Sequence, residues 1–184
     1  MKLVKRGFAP LAGALLFFGM GIAQAAGMHV SSASFADGAT IPVFHGNNTS
    51  DCGGKGVSPQ VSWSNLPAGA KSVAVLLSDP DGALGLGVSH WVAYNIAADR
   101  GQLKEGEGQT DGHGATIGKN VSGEVVYRGP CPPAGDAPHH YTLTVVATDL
   151  APSALPPGLT RDELMSALKG HALGGQSVIG KYSR

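Results

Sequence analysis

Charge is scarce in this chain. Only 14% of its residues are Asp, Glu, Lys or Arg, and 13 basic side chains balance 13 acidic ones. A generic nucleic-acid binder needs a basic face to displace counterions, so this balance argues against that class. Cysteine is limited to two residues, too few for a disulfide-rich scaffold or a closed cysteine zinc site. Long apolar runs are limited to one, at the N-terminus, so nothing after it is suited to spanning a bilayer. The chain contains no Gly-x-Ser-x-Gly, no His-Glu-x-x-His and no Gly-x-x-x-x-Gly-Lys-Ser/Thr run. Sequence support is therefore missing for a serine hydrolase elbow, a zinc-protease helix and a nucleotide phosphate loop. Hydrophobic residues, at 42%, still suffice for a folded core. The 28 glycines and 12 prolines, over a fifth of the chain, disfavour a helical bundle and favour a loop-rich β-protein.

The N-terminus reads as an address. Lys2, Lys5 and Arg6 precede an apolar run from Gly7 to Ile22, and Ala23-Gln24-Ala25 gives the small-x-small pattern of a cleavage site. The apolar run is shorter than the roughly 20 residues of a membrane helix. Residues 1–25 are thus expected to be a secretory signal peptide, with an uncleaved anchor as the rival, and residues 26–184 a single domain. Lys5-Arg6 is not a twin-arginine pair, so general secretion is expected. Cleavage removes three basic residues and no acidic ones, leaving an exported chain with an excess of three negative charges. In a Gram-negative cell that chain is periplasmic. Cys52 and Cys131 then meet an oxidising compartment and are expected to pair. The rival role is a catalytic Cys131 beside a histidine.

Strand patterns dominate the rest. Ser72 to Ser78 is a continuous apolar run, as in a strand buried on both faces. His90 to Ile96 alternates, with His90, Val92, Tyr94 and Ile96 on one face and Trp91, Ala93 and Asn95 on the other. Tyr141 to Thr148 alternates with β-branched residues throughout. Val57 to Trp63 and Gly123 to Tyr127 are weaker candidates, Gln176 to Tyr182 closes the series, and Gly101 to Gly123 reads as an irregular surface excursion. Thr160 and Glu163 form a capping box that opens a helix near 160–170, stopped by Gly170. The expected fold is all-β dominated, a sandwich with one late helix, and Trp63 and Trp91 belong in its core.

Chemistry-bearing residues collect at predicted strand ends. Asp79-Pro80-Asp81-Gly82 closes the first strand, and in an extended chain its carboxylates point the same way, so that repulsion raises one pKa. The competing reading is a plain Asp-rich turn. His90 opens the next strand. His139 and Tyr141 open the third on one face, with His140 on the other. Gly129-Pro130-Cys131-Pro132-Pro133 is rigid and poor in N–H donors, a stiff wall. Imidazoles and a phenol can bind phosphate oxygens, and carboxylates can accept from an ammonium, a set suited to a zwitterionic phosphate. Zinc held by Asp and His, in a metal-assisted hydrolase, is the alternative on ligand type. If His90 or His139 binds the anion as a cation, binding weakens as pH rises past roughly 6.5.

In order, these segments resemble the phosphatidylethanolamine-binding protein family, in its bacterial Raf-kinase-inhibitor-like branch. The resemblance rests on Val57-Ser58-Pro59 with Ser62-Trp63, Leu66-Pro67-Ala68-Gly69, Ser78-Asp79-Pro80-Asp81, His90-Trp91-Val92 with Asn95-Ile96, Tyr127 to Gly135, His139-His140-Tyr141, and Gly170-His171 to Tyr182. It covers essentially all of residues 26–184. It implies two antiparallel sheets and a small anion pocket lined by Asp79, Asp81, His90, Pro132, Pro133, His139 and Tyr141. It also implies a phosphate or phosphorylethanolamine ligand without turnover, no cofactor, and, in some members, inhibition of a kinase or protease. A Cys52–Cys131 bridge pinning one pocket wall is compatible with it. Gly82-Ala83 and Val88-Ser89 depart from the family's Pro and aromatics, so the rim is expected to be less greasy and to favour a soluble headgroup over a long-chain lipid.

Overall fold

The computed structural model describes residues 27–49 and 51–184. The leader read over residues 1–25 lies outside them. Among the described residues no helix is long and apolar enough to cross a membrane.

Two antiparallel sheets form, as expected. The smaller contains β1 (His29–Ser31), β2 (Val61–Ser64) and β5 (Gln102–Leu103), with β2 in the middle. The larger contains β3 (Ser72–Asp79), β4 (Val88–Ala97), β6 (Thr116–Ile117), β7 (His139–Thr148) and β8 (Ala172–Tyr182), in the order β6-β4-β3-β7-β8. Central β3 is flanked on both edges and covered on both faces, which is why its sequence is apolar without alternation. Val73, Val75 and Leu77 enter the inner core with Val30 and Trp63 of the smaller sheet. Ala74 and Leu76 face outward under Leu164 and Leu168. Each fully buried aliphatic side chain contributes about 1.5–3 kcal/mol. The late helix spans Arg161–Ala167, and its capping box forms as read: Thr160 Oγ1 accepts from Glu163 N, and Glu163 accepts from Thr160 N.

β4 departs from simple alternation at both ends. Leu77 sits opposite Trp91 but Ser78 sits opposite Ser89, so His90 is an extra residue on β4. Val73 pairs with Ile96 and Val75 with Ala93, a second irregularity, and Asn95 there adopts φ 56°. The bulges move side chains between faces. Ile96 joins Trp91 and Ala93 in the inner core, whereas Val92 and Tyr94 stay under the helix. Asn95 exchanges two hydrogen bonds with the backbone of Leu155, at 2.9 and 3.2 Å, and so fastens the proline-rich loop that leads to the helix.

Other differences have local causes. The strand expected over Val57 to Trp63 is confined to Val61–Ser64. Pro59 cannot donate to a ladder. Gly123 to Tyr127 is not a strand, because Asn120 Oδ1 accepts from Ser122 N and Glu124 N and curls the chain into a turn. β8 starts earlier than the sequence pattern indicates, since Gly174 and Gly175 pair with Ala147 and Val146. The Gly101–Gly123 excursion is largely irregular, but it returns Leu103 and Ile117 to the core at 0% exposure.

Within that excursion Gly108 accepts a 2.7 Å hydrogen bond from Trp91 Nε1, and a Cβ at Gly108 would overlap the Trp91 indole. Gly108→Ala is therefore expected to destabilise the protein by about 1–3 kcal/mol through overpacking. Urea denaturation checks this; an unchanged midpoint would show that the indole yields freely.

Candidate functional site

The site grows from the end of β3. Asp79 lies on the inner face, in line with Val73, Val75 and Leu77, and is 3% exposed. Its Oδ1 accepts the backbone N–H groups of Asp81 and Gly82, both at 2.9 Å. This Asx-type closure ends the strand at Pro80 and turns the chain. The two carboxylates therefore do not point the same way, contrary to the extended-chain expectation. Asp81 faces outward, accepting from His140 N at 2.7 Å and lying 3.0 Å from His140 Nδ1. The backbone N–H of His140, followed by its imidazole, lowers the Asp81 pKa rather than raising it.

His139 and Tyr141 enter from β7 on the inner face, and the β4 bulge aims His90 at the same place. His139 Nδ1 is 2.8 Å from Asp79 Oδ2, and its Nε2 is 3.6 Å from Asp136 Oδ2. Burial works against a charge on this ring, but the hydrogen bond and charge of Asp79, with help from Asp81 and Asp136, outweigh it, and the His139 pKa rises. His139 is thus the ring whose surroundings favour the cation. His90 differs. Its Nδ1 is 3.0 Å from Arg128 O, and a carbonyl only accepts, so the ring proton sits on Nδ1. Nε2 points towards Asp79 Oδ2 at 3.9 Å. Desolvation depresses the His90 pKa, and the nearby Asp79 charge only partly opposes it. The expectation that either imidazole serves as a cation thus divides between them.

Tyr141 packs edge-on against His90, with ring centroids 5.3 Å apart. Burial, and then the charge of Asp79, push its pKa far above the usual phenol range. Its hydroxyl is buried and has no partner of normal hydrogen-bond geometry. Among the described residues the hydroxyls of Ser58 and Ser89 share this state, and a buried hydroxyl left unmatched costs on the order of 1–3 kcal/mol.

The proline loop stands behind this cluster. The Cys52–Cys131 disulfide forms, with Cα atoms 5.6 Å apart. Arg184 Nε donates to Pro132 O, and its Nη1 donates to Asp51 O at 2.8 Å, so the chain's last residue clamps the same loop. A shallow depression of about 350 Å³ opens over His139, lined by Asp81, Asp136, Ala137, Pro138, His139 and His140. The structure thus gathers Asp79, His90, His139 and Tyr141; Asp81 and His139 line the depression, whereas Asp79, His90, Tyr141, Pro132 and Pro133 are not among its walls. Asp136 is a participant that sequence reading missed; its position three residues before His139 was the available signal.

A larger groove of about 690 Å³ lies on the outer face of the sheet, between the turn before β4 and the late helix. Ser78, Thr142 and Thr144 form its floor, and Lys119 and Arg161 stand at its edge. Its size exceeds that of the depression and Asp79 also lines it, but His90, His139 and Tyr141, which converge on Asp79 from the inner face, do not, so the candidate site is taken at that convergence. Beside both, Leu84 and Leu86 are exposed at 102% and 88% in a turn where Ala83 and Leu84 adopt φ of 51° and 60°. The surface near the site is therefore greasier than the missing family residues implied.

Among the described residues the one grouping of three candidate metal-ligand atoms is Asp51 with Cys52 and Cys131, whose sulfurs are joined to each other.

Fold and site together define a two-sheet β-protein whose acid–imidazole cluster sits where the strands of the larger sheet end. A family model described as phosphatidylethanolamine-binding protein matches residues 31–183, and the chain belongs to that family. It is 35% identical over 158 residues to the UPF0098 protein of Aquifex aeolicus (strain VF5), covering 85% of this chain and 89% of that one. It is 38% identical over 153 residues to LppC of Mycobacterium tuberculosis (strain ATCC 25618 / H37Rv), named as a lipoprotein, covering 83% of this chain and 71% of that one. The crystal structure of Escherichia coli YbcL, titled a new member of the mammalian PEBP family, superposes with a TM-score of 0.80 at 31% identity, over 86% of this chain and 99% of that one.

Proposed function

We propose that this protein is exported and binds a small phosphate-bearing anion, such as phosphate or phosphorylethanolamine, without turning it over. The observation that carries the reading is the buried Tyr141 hydroxyl, without a hydrogen bond of normal geometry, beside His90 and the Asp79-paired His139. Asp79, His90, His139 and Tyr141 form the proposed binding set, with Asp81 at its rim and Pro132 and Pro133 in the loop that backs it. The disulfide and the lipoprotein name of LppC support export, to the periplasm if the cell is Gram-negative.

Titration of histidine ring NMR signals with phosphorylethanolamine tests the reading. The His139 and His90 signals are expected to move at micromolar to millimolar ligand, and unmoved signals at high millimolar ligand would defeat the proposal. Tyr141→Phe is expected to weaken binding roughly 10- to 100-fold, the equivalent of one hydrogen bond to a charged group.

A second reading is an interaction protein that docks on a protein target such as a protease or kinase. The exposed Leu84 and Leu86, held out on a left-handed turn, favour it. A target retained by the wild-type protein and lost with Leu84→Asp, while phosphorylethanolamine titration is unchanged, would support docking.

A further inference from the structure

Resting on the anion-binding reading above, we propose that the site selects anions that bring their own proton, binding protonated phosphates and phosphomonoesters in preference to sulfate. The argument is a count of donors and acceptors. His90 Nδ1 gives its proton to Arg128 O, so a neutral ring offers only the Nε2 lone pair to the site. Opposite it, 3.9 Å away, stands Asp79 Oδ2, which can only accept when ionised. The floor of the site is therefore two acceptors facing each other, with the Tyr141 hydroxyl, which makes no hydrogen bond of normal geometry, next to Asp79 beside them. Asp79 Oδ1 is already taken by the N–H groups of Asp81 and Gly82, and Oδ2 also holds His139. A ligand oxygen without a proton would meet two lone pairs here. A P–OH group instead donates to one of them, while its other oxygens accept from Tyr141 and face the His139 cation.

The groups facing His90 are Asp79 from β3, Tyr141 from β7 and Arg128 from the loop after the excursion. Burial depresses the His90 pKa, which favours the neutral, accepting form of the ring. Sulfate has no proton to offer near neutral pH, whereas a phosphomonoester has a second pKa of about 6.

The test is competition on the wild-type protein, with phosphorylethanolamine, inorganic phosphate, sulfate and ethanolamine as probes at pH 5.5 and pH 8. Phosphorylethanolamine is expected to bind at least tenfold tighter than sulfate at pH 5.5, and this ratio is expected to shrink at pH 8. Sulfate does not titrate in this range, so its own pH dependence reports the protein's groups alone, His139 with His90 and His140. Sulfate binding as tight as the phosphates would overturn the proton selection but leave the anion site standing. Ethanolamine binding as tight as phosphorylethanolamine would overturn it too, since the donor would then be the ammonium. Binding of none of the anions would remove the anion reading itself. Independently, nitrogen-15 shifts of His90 are expected to show the Nδ1–H tautomer, and a ring protonated on Nε2 with Nδ1 bare would overturn the proposal without any ligand.

Discussion

Asp79→Ala is expected to cost about 4 kcal/mol of folding stability and to abolish phosphorylethanolamine binding. Asp79 is buried, and three donors converge on it: Asp81 N, Gly82 N and the His139 ring. Removing one member of a buried charge pair costs about 3–5 kcal/mol, because the remaining charge loses its partner. Asp79→Asn keeps an oxygen for the turn and loses only the charge, so its cost is expected to be about half, with a folded protein left for binding measurements.

The pH dependence separates the two imidazoles. The folded pKa of His139 is raised, so its contribution to stability is fully present below the unfolded value of about 6.5 and is lost as pH rises through the folded value. The folded pKa of His90 is lowered, so it acts in the opposite sense: stability falls as pH drops below about 6.5, because the unfolded ring takes up a proton that the folded one resists. The stability difference between wild type and Asp79→Asn is therefore expected to be larger at pH 5.5 than at pH 8. Urea midpoints across that range measure it, and a constant difference would show that His139 is not held as a cation by Asp79.

Loss of the disulfide is the second large effect. The bridge joins residues 79 apart in sequence. The chain-entropy relation gives a loop of that length about 4 kcal/mol, and for a domain of this size the equivalent fall in Tm is about 10 °C. Cys52→Ala with Cys131→Ala is expected to show this loss, and reductant is expected to affect the wild type alone. Phosphorylethanolamine binding is expected to weaken as well, since Asp136 N donates to Pro133 O at 3.3 Å, and the bridged loop thereby sets the position of the carboxylate next to His139. A loss below about 1 kcal/mol in urea would mean that Arg184 and the backbone bonds hold the loop unaided.

Much of this architecture was legible without coordinates. The apolar run at Ser72 marked a strand covered on both faces, the alternation at Tyr141 marked one with two distinct faces, and Thr160 with Glu163 marked where the helix begins. These are local signals, written in neighbouring residues. The gathering of Asp79, His90, His139 and Tyr141 was anticipated from their places at strand ends and from the family resemblance, but strict alternation would have sent His90 to the helix-covered face. The bulge that redirects it depends on how β4 pairs with β3, a relation between segments that no short window contains. The outward turn of Asp81 was likewise hidden, because it follows from hydrogen bonds made by Asp79 and His140 together.

By itself the sequence determined the strand and helix types, the pairing partners available to two cysteines, and which residues could carry charge chemistry, since periodicity, capping and side-chain type are properties of the chain alone. Only the tertiary structure decided which imidazole is favoured as a cation and which as a neutral acceptor. That distinction arises from Arg128 O meeting one ring and two carboxylates meeting the other, at distances set by strand register and loop closure. Protonation follows from surroundings, and surroundings exist only once the chain has folded.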